Sequence, residues 1–469
     1  MAMVGYVVLI AILCFLFFRH LRSNKNSPVT NWPLVGMLPA LLSNAQRFHE
    51  FATHVLKRGG YTWEFKGPWF TKMDFLITSD VDNMRHILIK NFPNFQRGSA
   101  FKKIFDVLGE GILRAELDSW KIQRQLVHSL MKQGRFQRQL EKATQKKLGK
   151  GLFPVLEHVS KLGTEVDMHD LFSRFTFDNA CMLMLGFDPN SLSVELPEVS
   201  SSRAIDEIEE ALLYRHVVPE MCWKLQKWLQ IGEEKKLSRA RETFDRFVDQ
   251  HVSLKRERWR SRTQKEEADE EESFDLVTGL MEEEKEIMGL FGTFDKFLRD
   301  EILNVFIAAR DTVSVSLAWF FWCLSRNPSA EFNIREEMKA RLQAKEDGKQ
   351  RIFNLQEVNE LVYLHGALCE SLRLYPPIPI DHKAAVEADT LPSGHRTHNP
   401  KYYSKKTGGK ARDLLLGTFE ALQQLKRVAV DDQILKPTIH EPCKAHSTSS
   451  SLSMWVGRPT PLKGTRFSS

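Results

Sequence analysis

One long apolar stretch, from Asp295 to Asn327, constrains the fold of this chain more than any other part of its sequence. It contains no glycine or proline, and Asn327 is followed by Pro328, which is a helix stop signal. At 1.5 Å per residue, these roughly thirty residues would form about 45 Å of helix. Asp295 is a candidate N-cap. Because the stretch is apolar on nearly every side, we predict a helix buried in a large core or in lipid.

The middle of this helix carries the residues Ala308, Ala309, Arg310, Asp311 and Thr312. Burying a charged pair and a hydroxyl is costly unless they are satisfied or used. A transmembrane helix would place Arg310 and Asp311 near the bilayer centre, which is expensive without a partner or a function. A core helix with a mutually satisfied Arg–Asp pair is the commoner arrangement. In a third, functional interpretation, the two small residues let a flat cofactor approach, while Asp311 and Thr312 pass protons.

Composition narrows the class of protein. The chain has 469 residues, of which 42% are hydrophobic, and this content favours a large core over disorder. The formal net charge is only +6, and no basic run is interleaved with aromatic residues, so we expect no nucleic-acid partner. Six cysteines are scattered without C-x-x-C spacing. They indicate a reducing compartment, and neither a disulfide framework nor a zinc site.

Residues 1–18 form an apolar run that is followed at once by the basic residues Arg19, Arg22 and Lys25. As a helix the run would be about 27 Å long, which is enough for a thin bilayer. A cleaved signal peptide would need a charged segment before the run and a small-residue cleavage site after it. Neither is present. We therefore predict a retained, single-pass membrane anchor with the rest of the chain facing the cytoplasm.

The region after the anchor contains the only clear strand signals in the first half of the chain. Residues 19–36 are basic and proline-rich, which predicts a stiff, extended hinge. Alternating patterns at Tyr61–Phe65 and Met73–Thr78 then predict two strands. Ser79 or Asp80 can cap the helix that follows. The fold class predicted for the whole chain is mainly α with a small β-sheet region.

Long amphipathic helices are predicted from Phe136 to Glu257, and the acidic segment 265–273 after them is predicted to be an exposed loop. Upstream, Trp120 and Arg124 lie at i and i+4 and share one helix face. Taken alone, they form an ordinary cation–π pair. Several basic residues follow on the same predicted helices, and such residues usually form a solvated face: Lys132, Arg135, Arg138, Lys142, Lys146 and Lys147.

A second amphipathic helix is predicted from Leu361 to Arg373, where Pro376-Pro377 ends it. Glu370 and Arg373 are an i,i+3 pair on this helix. Taken alone, they are a surface ion pair that contributes about 0.2–0.5 kcal/mol.

In this order, the anchor, the hinge and the motifs W-x-x-x-R, A-A-R-D-T and E-x-x-R resemble the cytochrome P-450 family over residues 1–396. The sequences of the segments NWPLVGMLP, LDSWKIQRQL and ADTLPSGH are similar to those of the plant fatty-acid and alkane hydroxylase branch of this family. Ala309 stands where the family usually has glycine. The resemblance implies a cytochrome P-450 fold with an N-terminal anchor helix in the endoplasmic reticulum membrane and a cytosolic globular part.

The resemblance also implies a function. It implies a monooxygenase that hydroxylates long aliphatic chains, with haem as the cofactor and an NADPH-dependent cytochrome reductase as the electron donor. Trp120 and Arg124 would bind a haem propionate, for which a guanidinium fork is well suited. His382 is a further candidate for a propionate contact. The basic helix face would receive the acidic electron donor.

The family pattern further assigns roles to the central motif. Ala308 and Ala309 would lie beside the haem, and Asp311 and Thr312 would deliver protons. The E-x-x-R pair would brace the fold behind the cofactor.

The resemblance stops near Arg396. A haem-thiolate enzyme needs a cysteine in a Phe-x-x-Gly-x-x-x-Cys-x-Gly loop. The only cysteine after the E-x-x-R motif is Cys443, in HEPCKAHS, which has neither the phenylalanine nor the glycines of that loop. The Pro-Glu-Arg-Phe segment of the family is missing as well. We therefore expect Cys443 not to ligate iron, and we predict no metal ligand in this chain.

These observations divide the chain into an anchor (1–18), a hinge (19–36), an incomplete cytochrome P-450 domain (37–396) and a divergent, disordered tail (397–469). Within the tail, Asp413–Val428 can form one short helix. Two functional hypotheses follow. The first is a membrane-anchored monooxygenase, and the second is a catalytically inactive member of the family that lacks haem-thiolate ligation.

Overall fold

A computed structural model of the chain describes residues 27–69, 71, 73–262, 274–341, 352–397 and 413–417, with isolated positions between Cys14 and Lys25. The predicted anchor lies almost wholly outside the described residues, and the acidic segment 265–273 lies entirely outside them. The chain divides into two compact units. Of the described residues, the first unit contains those up to 104, 213–233, 380–397 and 413–417, and the second contains 105–212, 234–262, 274–341 and 352–379.

The described chain is mainly helical, as predicted. Its helices in chain order are α1 (Leu38–Ser43), α2 (Phe48–Arg58), α3 (Val81–Arg85), α4 (Gly98–Ile104), α5 (Leu117–Lys132), α6 (Gly134–Lys147), α7 (Phe153–Leu162), α8 (Met168–Met184), α9 (Ser200–Val217), α10 (Glu220–Leu229), α11 (Gly232–Arg262), α12 (Leu276–Glu282), α13 (Glu284–Phe291), α14 (Phe294–Arg326), α15 (Pro328–Arg341), α16 (Leu355–Asn359) and α17 (Val362–Leu374).

The strands all belong to the first unit. They are β1 (Thr62–Phe65), β2 (Phe75–Thr78), β3 (Phe95–Gln96), β4 (Ile380–Ala385), β5 (Asp389–Thr390), β6 (Arg396–Thr397) and β7 (Asp413–Gly417). Five of them form one sheet in the order β1-β2-β7-β4-β3, and β5 pairs with β6 separately. β7 runs parallel to β2 and antiparallel to β4.

The two strands predicted at Tyr61–Phe65 and Met73–Thr78 are confirmed as β1 and β2. They pair antiparallel, and Phe65 lies opposite Phe75 with ring centroids 4.4 Å apart. The capping prediction is also confirmed, because the Asp80 carboxylate accepts the Asn83 N–H at 2.8 Å at the start of α3. Helices α1 and α2 supply Leu41 and Val55 to the same buried cluster as β1 and β2, so they cover one face of these strands.

The prediction of a helix beginning at Asp413 was wrong. Residues Asp413–Gly417 form β7, which lies between β2 and β4 in the sheet. Its register places Leu415 opposite both Ile77 and His382. A short apolar run such as Leu414-Leu415-Leu416 suits a central strand as well as a helix, and distant pairing decides between them. The other tail residues from 398 onward lie outside the described part of the chain.

Helix α14 is the core helix of the second unit. It runs without interruption for 33 residues and packs along α8. Phe306 lies against Phe177 of α8 and Phe244 of α11, with ring centroids 6.0 and 5.5 Å apart. Its length and composition would also allow it to cross a membrane, yet 56% of its most apolar window is buried inside the protein. This burial favours the core-helix prediction.

The predicted start of α14 needs one correction. Thr293 occupies the N-cap position, and Asp295 lies inside the first turn. The Asp295 carboxylate lies 2.5 Å from the Arg256 guanidinium. An acidic residue in the first turn still interacts favourably with the helix dipole.

Candidate active site

The middle of α14 has a buried side and an open side. Arg310 and Asp311 are buried, at 3% and 1% exposure. On the opposite side Ala308 is exposed, while Ala309 and Thr312 are half-buried. Because the residues at 308 and 312 are small and lie one turn apart, they form a shallow surface that is not filled by large side chains.

Thr312 lies on the open side and hydrogen-bonds to its own helix. Its Oγ1 donates to the Ala308 carbonyl at 2.6 Å. The next turn repeats the arrangement, with Ser316 donating to the Thr312 carbonyl at 2.6 Å. The Thr312 hydroxyl is therefore held at a fixed position at the edge of the open surface, as an i-to-i−4 bond requires.

Asp311 lies on the buried side and belongs to an ion-pair network. Arg310 Nη1 lies 3.3 Å from Asp311 Oδ1 and donates to Asp206 Oδ1 of α9 at 2.8 Å. Although burial opposes the Arg310 charge, Asp311 and Asp206 hold its pKa well above the usual value. The sequence predicted the Arg–Asp pair but missed Asp206. The structure thus places Asp311 and Thr312 on different sides of the helix.

Trp120 and Arg124 share one face of α5, as predicted. The Arg124 guanidinium carbon lies 5.4 Å from the Trp120 ring centroid, which is a cation–π contact. Arg124 is exposed, and Trp120 is half-buried. Their assignment to a haem propionate stays a prediction.

The E-x-x-R motif forms the predicted pair on α17. Arg373 Nε donates to Glu370 Oε2 at 2.9 Å, and this bond raises the Arg373 pKa. The helix continues one residue beyond the predicted end, to Leu374. Tyr375 then stacks on Trp319 of α14, with ring centroids 4.0 Å apart and planes 5° from parallel. This stacked contact, which the sequence analysis missed, joins the end of α17 to the central helix.

His382 lies in the first unit, on β4, and is only 6% exposed. Its ring faces Phe101 of α4 at 5.7 Å and His216 of α9 at 6.4 Å between ring centroids. Its contact with a propionate stays a prediction.

The predicted basic face is smaller than the sequence implied. Lys147 is buried, and its Nζ lies 2.6 Å from the carboxylates of both Asp178 and Asp188. Arg135 forms an ion pair with Glu282. Lys147 was therefore wrongly placed on a solvated face. The exposed cations of the set are Lys132, Arg138, Lys142 and Lys146.

The described residues fit a haem pocket only in part. The open surface at Ala308 and the exposed Arg124 suit a flat, acidic cofactor. An axial thiolate, in contrast, needs a cysteine in a loop that hydrogen-bonds its sulfur. The described cysteines do not lie in such a loop, since Cys14 lies in the predicted anchor and Cys181, Cys222, Cys323 and Cys369 lie within helices. Burial raises the pKa of the Cys181 thiol well above its usual value. Cys443 lies outside the described residues.

Comparison with known proteins identifies the family. The sequence model of the family Cytochrome P-450 matches residues 27–395. The chain is 38% identical to alkane hydroxylase MAH1 of Arabidopsis thaliana over 401 residues, which cover 84% of this chain and 78% of the relative. It is 36% identical to noroxomaritidine synthase of Narcissus aff. pseudonarcissus MK-2014 over 399 residues, or 83% of this chain and 75% of the relative. It is 35% identical to cytochrome P-450 86B1 of Arabidopsis thaliana over 399 residues, which cover 82% of this chain and 70% of the relative.

These matches explain why a long core helix with an A-A-R-D-T centre occurs together with W-x-x-x-R and E-x-x-R helices in one mainly helical chain. They agree with the resemblance to the plant fatty-acid and alkane hydroxylase branch. The chain belongs to the cytochrome P-450 family, a family of haem-dependent monooxygenases.

Proposed function

We propose that this family member takes a long aliphatic chain, either a fatty acid or an alkane, as its substrate, and that its site hydroxylates this chain when a thiolate-ligated haem is present. The observation that carries this proposal is the 38% identity to a protein named as an alkane hydroxylase. A noroxomaritidine synthase is nearly as similar, at 36% identity, so the substrate class has to be tested.

The open surface of α14 supports the proposal. Ala308 and Ala309 project no bulky group, and Val313 is 45% exposed nearby, so an apolar chain finds apolar contacts there. Haem, when bound, would supply the oxygen chemistry of the family. Thr312 would hold a proton at the edge of this surface, since its hydroxyl is fixed by the Ala308 carbonyl. Trp120 and Arg124 would bind a propionate of the cofactor.

Electrons would come from an NADPH-dependent reductase. Arg138, Lys142 and Lys146 are exposed at i, i+4 and i+8 of α6, so they lie on one helix face. Such a row of cations attracts an acidic partner and speeds its association. We propose this row as the docking surface for the reductase.

The protein would act at the endoplasmic reticulum membrane. Residues 1–18 would span it, and Arg19, Arg22 and Lys25 would hold the globular part on the cytosolic side. A fluorescent protein fused to the C-terminus should be digested by protease in intact microsomes. Full protection of that fusion, or removal of the first residues from the mature protein, would contradict this topology.

A second candidate function is favoured by the positions of the cysteines. The described cysteines within the two units all lie in helices, and Cys443 lacks the family loop in sequence. This observation favours a catalytically inactive family member that retains the residues of the open surface but forms no haem-thiolate centre.

One experiment separates the two candidates and tests the substrate. The 469-residue chain and a chimera, in which residues 397–469 are replaced by the C-terminal segment of the alkane hydroxylase relative, are expressed in microsomes with a plant reductase. Each is given NADPH with a long-chain fatty acid or alkane, and products are identified by mass spectrometry. We expect hydroxylated aliphatic products from the chimera and none from the unmodified chain. A chimera that binds haem but leaves both substrates unchanged would overturn the proposed substrate class.

A further inference from the structure

The loop from Val107 to Arg114 lies against the N-terminal half of α14 at two glycines. Gly109 has φ +64°, and a Cβ atom at this position would lie 2.0 Å from Asp300 Cγ. A Cβ atom at Gly111 would lie 2.3 Å from Asn304 Nδ2. Side chains at either glycine would thus overlap with α14. The close approach of loop and helix requires both glycines.

Three backbone amides of the loop donate to three side chains of α14. The pairs are Glu110 to Asp300 at 3.0 Å, Ile112 to Glu301 at 3.0 Å and Leu113 to Asn304 at 2.9 Å. We name Asp300, Glu301 and Asn304 the loop seat. All three are buried. Asn304 also donates to the Leu108 carbonyl at 2.9 Å, so its amide group binds the loop on both sides of the glycines.

The seated loop is in turn bonded to α5. Gln123 of α5 is 1% exposed, and its Nε2 donates to the Glu110 carbonyl at 3.0 Å. Helix α5 begins at Leu117, a few residues after the loop, and carries Trp120 and Arg124 in its first two turns. The position of these two residues therefore depends on how firmly the loop is held.

Glu301 is the weak member of the seat. One of its oxygens accepts the Ile112 N–H, while Oε1 is buried and has no hydrogen-bond partner among the described residues. Burial raises the pKa of Glu301 to about 7; the bond from Ile112 opposes this rise, and the adjacent charge of Asp300 adds to it. A carboxylate at this position is poorly solvated, because one oxygen lacks a donor.

The charged groups around the seat are paired with one another. Arg241 of α11 forms ion pairs with Asp300 at 2.9 Å and with Asp245, and it also donates to the Val107 carbonyl. Arg114 pairs with Glu110 within the loop. On α8, which packs along α14, the charged residues pair as Arg174 with Asp170 and Asp178 with Lys147. Glu301 forms no ion pair with these described cations, so its charge is stabilised by the Ile112 N–H but by none of these paired cations.

We propose that Asp300, Glu301 and Asn304 are positioning residues for helix α5, and that ionisation of Glu301 loosens the seat. A neutral Glu301 keeps the loop closed. An ionised Glu301 gains solvation when the loop opens, so ionisation favours the open form.

Proton linkage gives the direction and size of the pH dependence of loop opening. In the open loop Glu301 faces water and titrates near its ordinary pKa of 4.5, whereas in the closed loop its pKa is about 7. The equilibrium constant for opening then rises about tenfold per pH unit between these two values and levels off above pH 7. The whole rise is about 300-fold.

Amide hydrogen exchange of the full-length chain in detergent tests the proposal, without any need for bound cofactor or substrate. Exchange is followed by mass spectrometry between pH 5 and 8 in peptides covering residues 107–116, and rates are corrected for the pH dependence of intrinsic exchange. In the unmodified chain we expect protection of this segment to fall steeply up to pH 7. In Glu301→Gln, which is neutral at every pH, we expect protection to stay constant and to exceed that of the unmodified chain at pH 8 by at least tenfold.

Two controls complete the test. Glu286→Gln removes an exposed carboxylate of α13 and should behave like the unmodified chain. Peptides of α8 report whether the core of the second unit is intact. The same corrected pH dependence in the unmodified chain and Glu301→Gln would overturn the proposal. So would a Glu301→Gln variant that loses protection in α8, because the neutral isostere is expected to strengthen the seat.

Discussion

Arg310 in the middle of α14 donates to Asp206 of α9 at 2.8 Å, and the same nitrogen lies 3.3 Å from the Asp311 carboxylate. This bond explains how a charged pair can lie inside a core helix. Two carboxylates, one from a neighbouring helix, offset the charge of one guanidinium that is only 3% exposed. The bond also fixes which side of α14 is buried, and so leaves Ala308 and Thr312 on the open side.

The Arg310 network predicts unequal effects of removing its members. Arg310→Met should lower the free energy of unfolding by about 3–5 kcal/mol, because it leaves Asp311 buried without its cation. Asp206→Asn should lower the free energy of unfolding by about 1 kcal/mol, since the Asp206 side chain is 34% exposed and Arg310 retains its ion pair with Asp311. Denaturant unfolding of the detergent-solubilised chain measures both. Equal effects of the two substitutions would show that Asp206 and Asp311 do not share Arg310 as described.

Two adjacent lysines at the end of α6 provide a second prediction with its own control. Lys147 is buried between Asp178 and Asp188, whereas the Lys146 side chain is 48% exposed and lies 3.3 Å from Asp188. Lys147→Ala should cost about 3–5 kcal/mol of stability. Lys146→Ala should cost less than about 1 kcal/mol, as surface ion pairs do. Unfolding midpoints of the two variants measure the difference, and comparable midpoints would contradict the burial of Lys147.

The raised pKa of Glu301 predicts how stability depends on pH. Between its ordinary value of 4.5 and about 7, the folded protein binds more protons at Glu301 than the unfolded chain does. The contribution of this residue to stability therefore falls as pH rises through that window, by about 3 kcal/mol in total. Glu301→Gln should be the more stable protein at pH 8, and this advantage should shrink towards pH 5. Parallel pH profiles of unfolding free energy for the two proteins would refute the assignment.

The site and fold were predictable from sequence to different degrees. The pairs Trp120–Arg124 and Glu370–Arg373 were predictable because each lies within one helix, where spacing alone brings side chains together. The strand at Asp413 was missed because it is determined by partners more than 300 residues away in β2. Asp206 was missed for a similar reason, since it depends on how α9 packs against α14.

The sequence contains two patterns that point to the loop seat, one on α14 and one in the loop. Asp300, Glu301 and Asn304 are polar residues at i, i+1 and i+4 where the apolar part of α14 begins, and they need donors when buried. Gly109 and Gly111 mark a segment in which the backbone can supply such donors at short range. Neither pattern alone specifies the other as its partner, and only the packed structure joins them.

The position of Thr312 on the open side of α14 predicts a specific effect of the substitution Thr312→Ala. In the chimera with the relative's C-terminal segment, Thr312→Ala should lower the yield of hydroxylated lipid by as much as about 100-fold, because a positioned hydroxyl contributes to proton delivery on that scale. NADPH should still be consumed and peroxide should rise. Ser316→Ala, which removes the equivalent hydroxyl one turn later, is the matched control and should leave the ratio unchanged. An unchanged peroxide-to-product ratio in Thr312→Ala would show that Thr312 does not deliver protons and that the A-A-R-D-T motif is only structural.

This chain carries the family's central helix and its E-x-x-R pair, and we predict that it does not supply a thiolate to haem iron. A carbon monoxide difference spectrum of the reduced protein tests it, with the unmodified 469-residue chain and the chimera measured side by side. We predict no strongly red-shifted thiolate Soret band from the unmodified chain and a stoichiometric band from the chimera. A stoichiometric thiolate band from the unmodified chain would contradict the account, because one of its own cysteines would then ligate the iron.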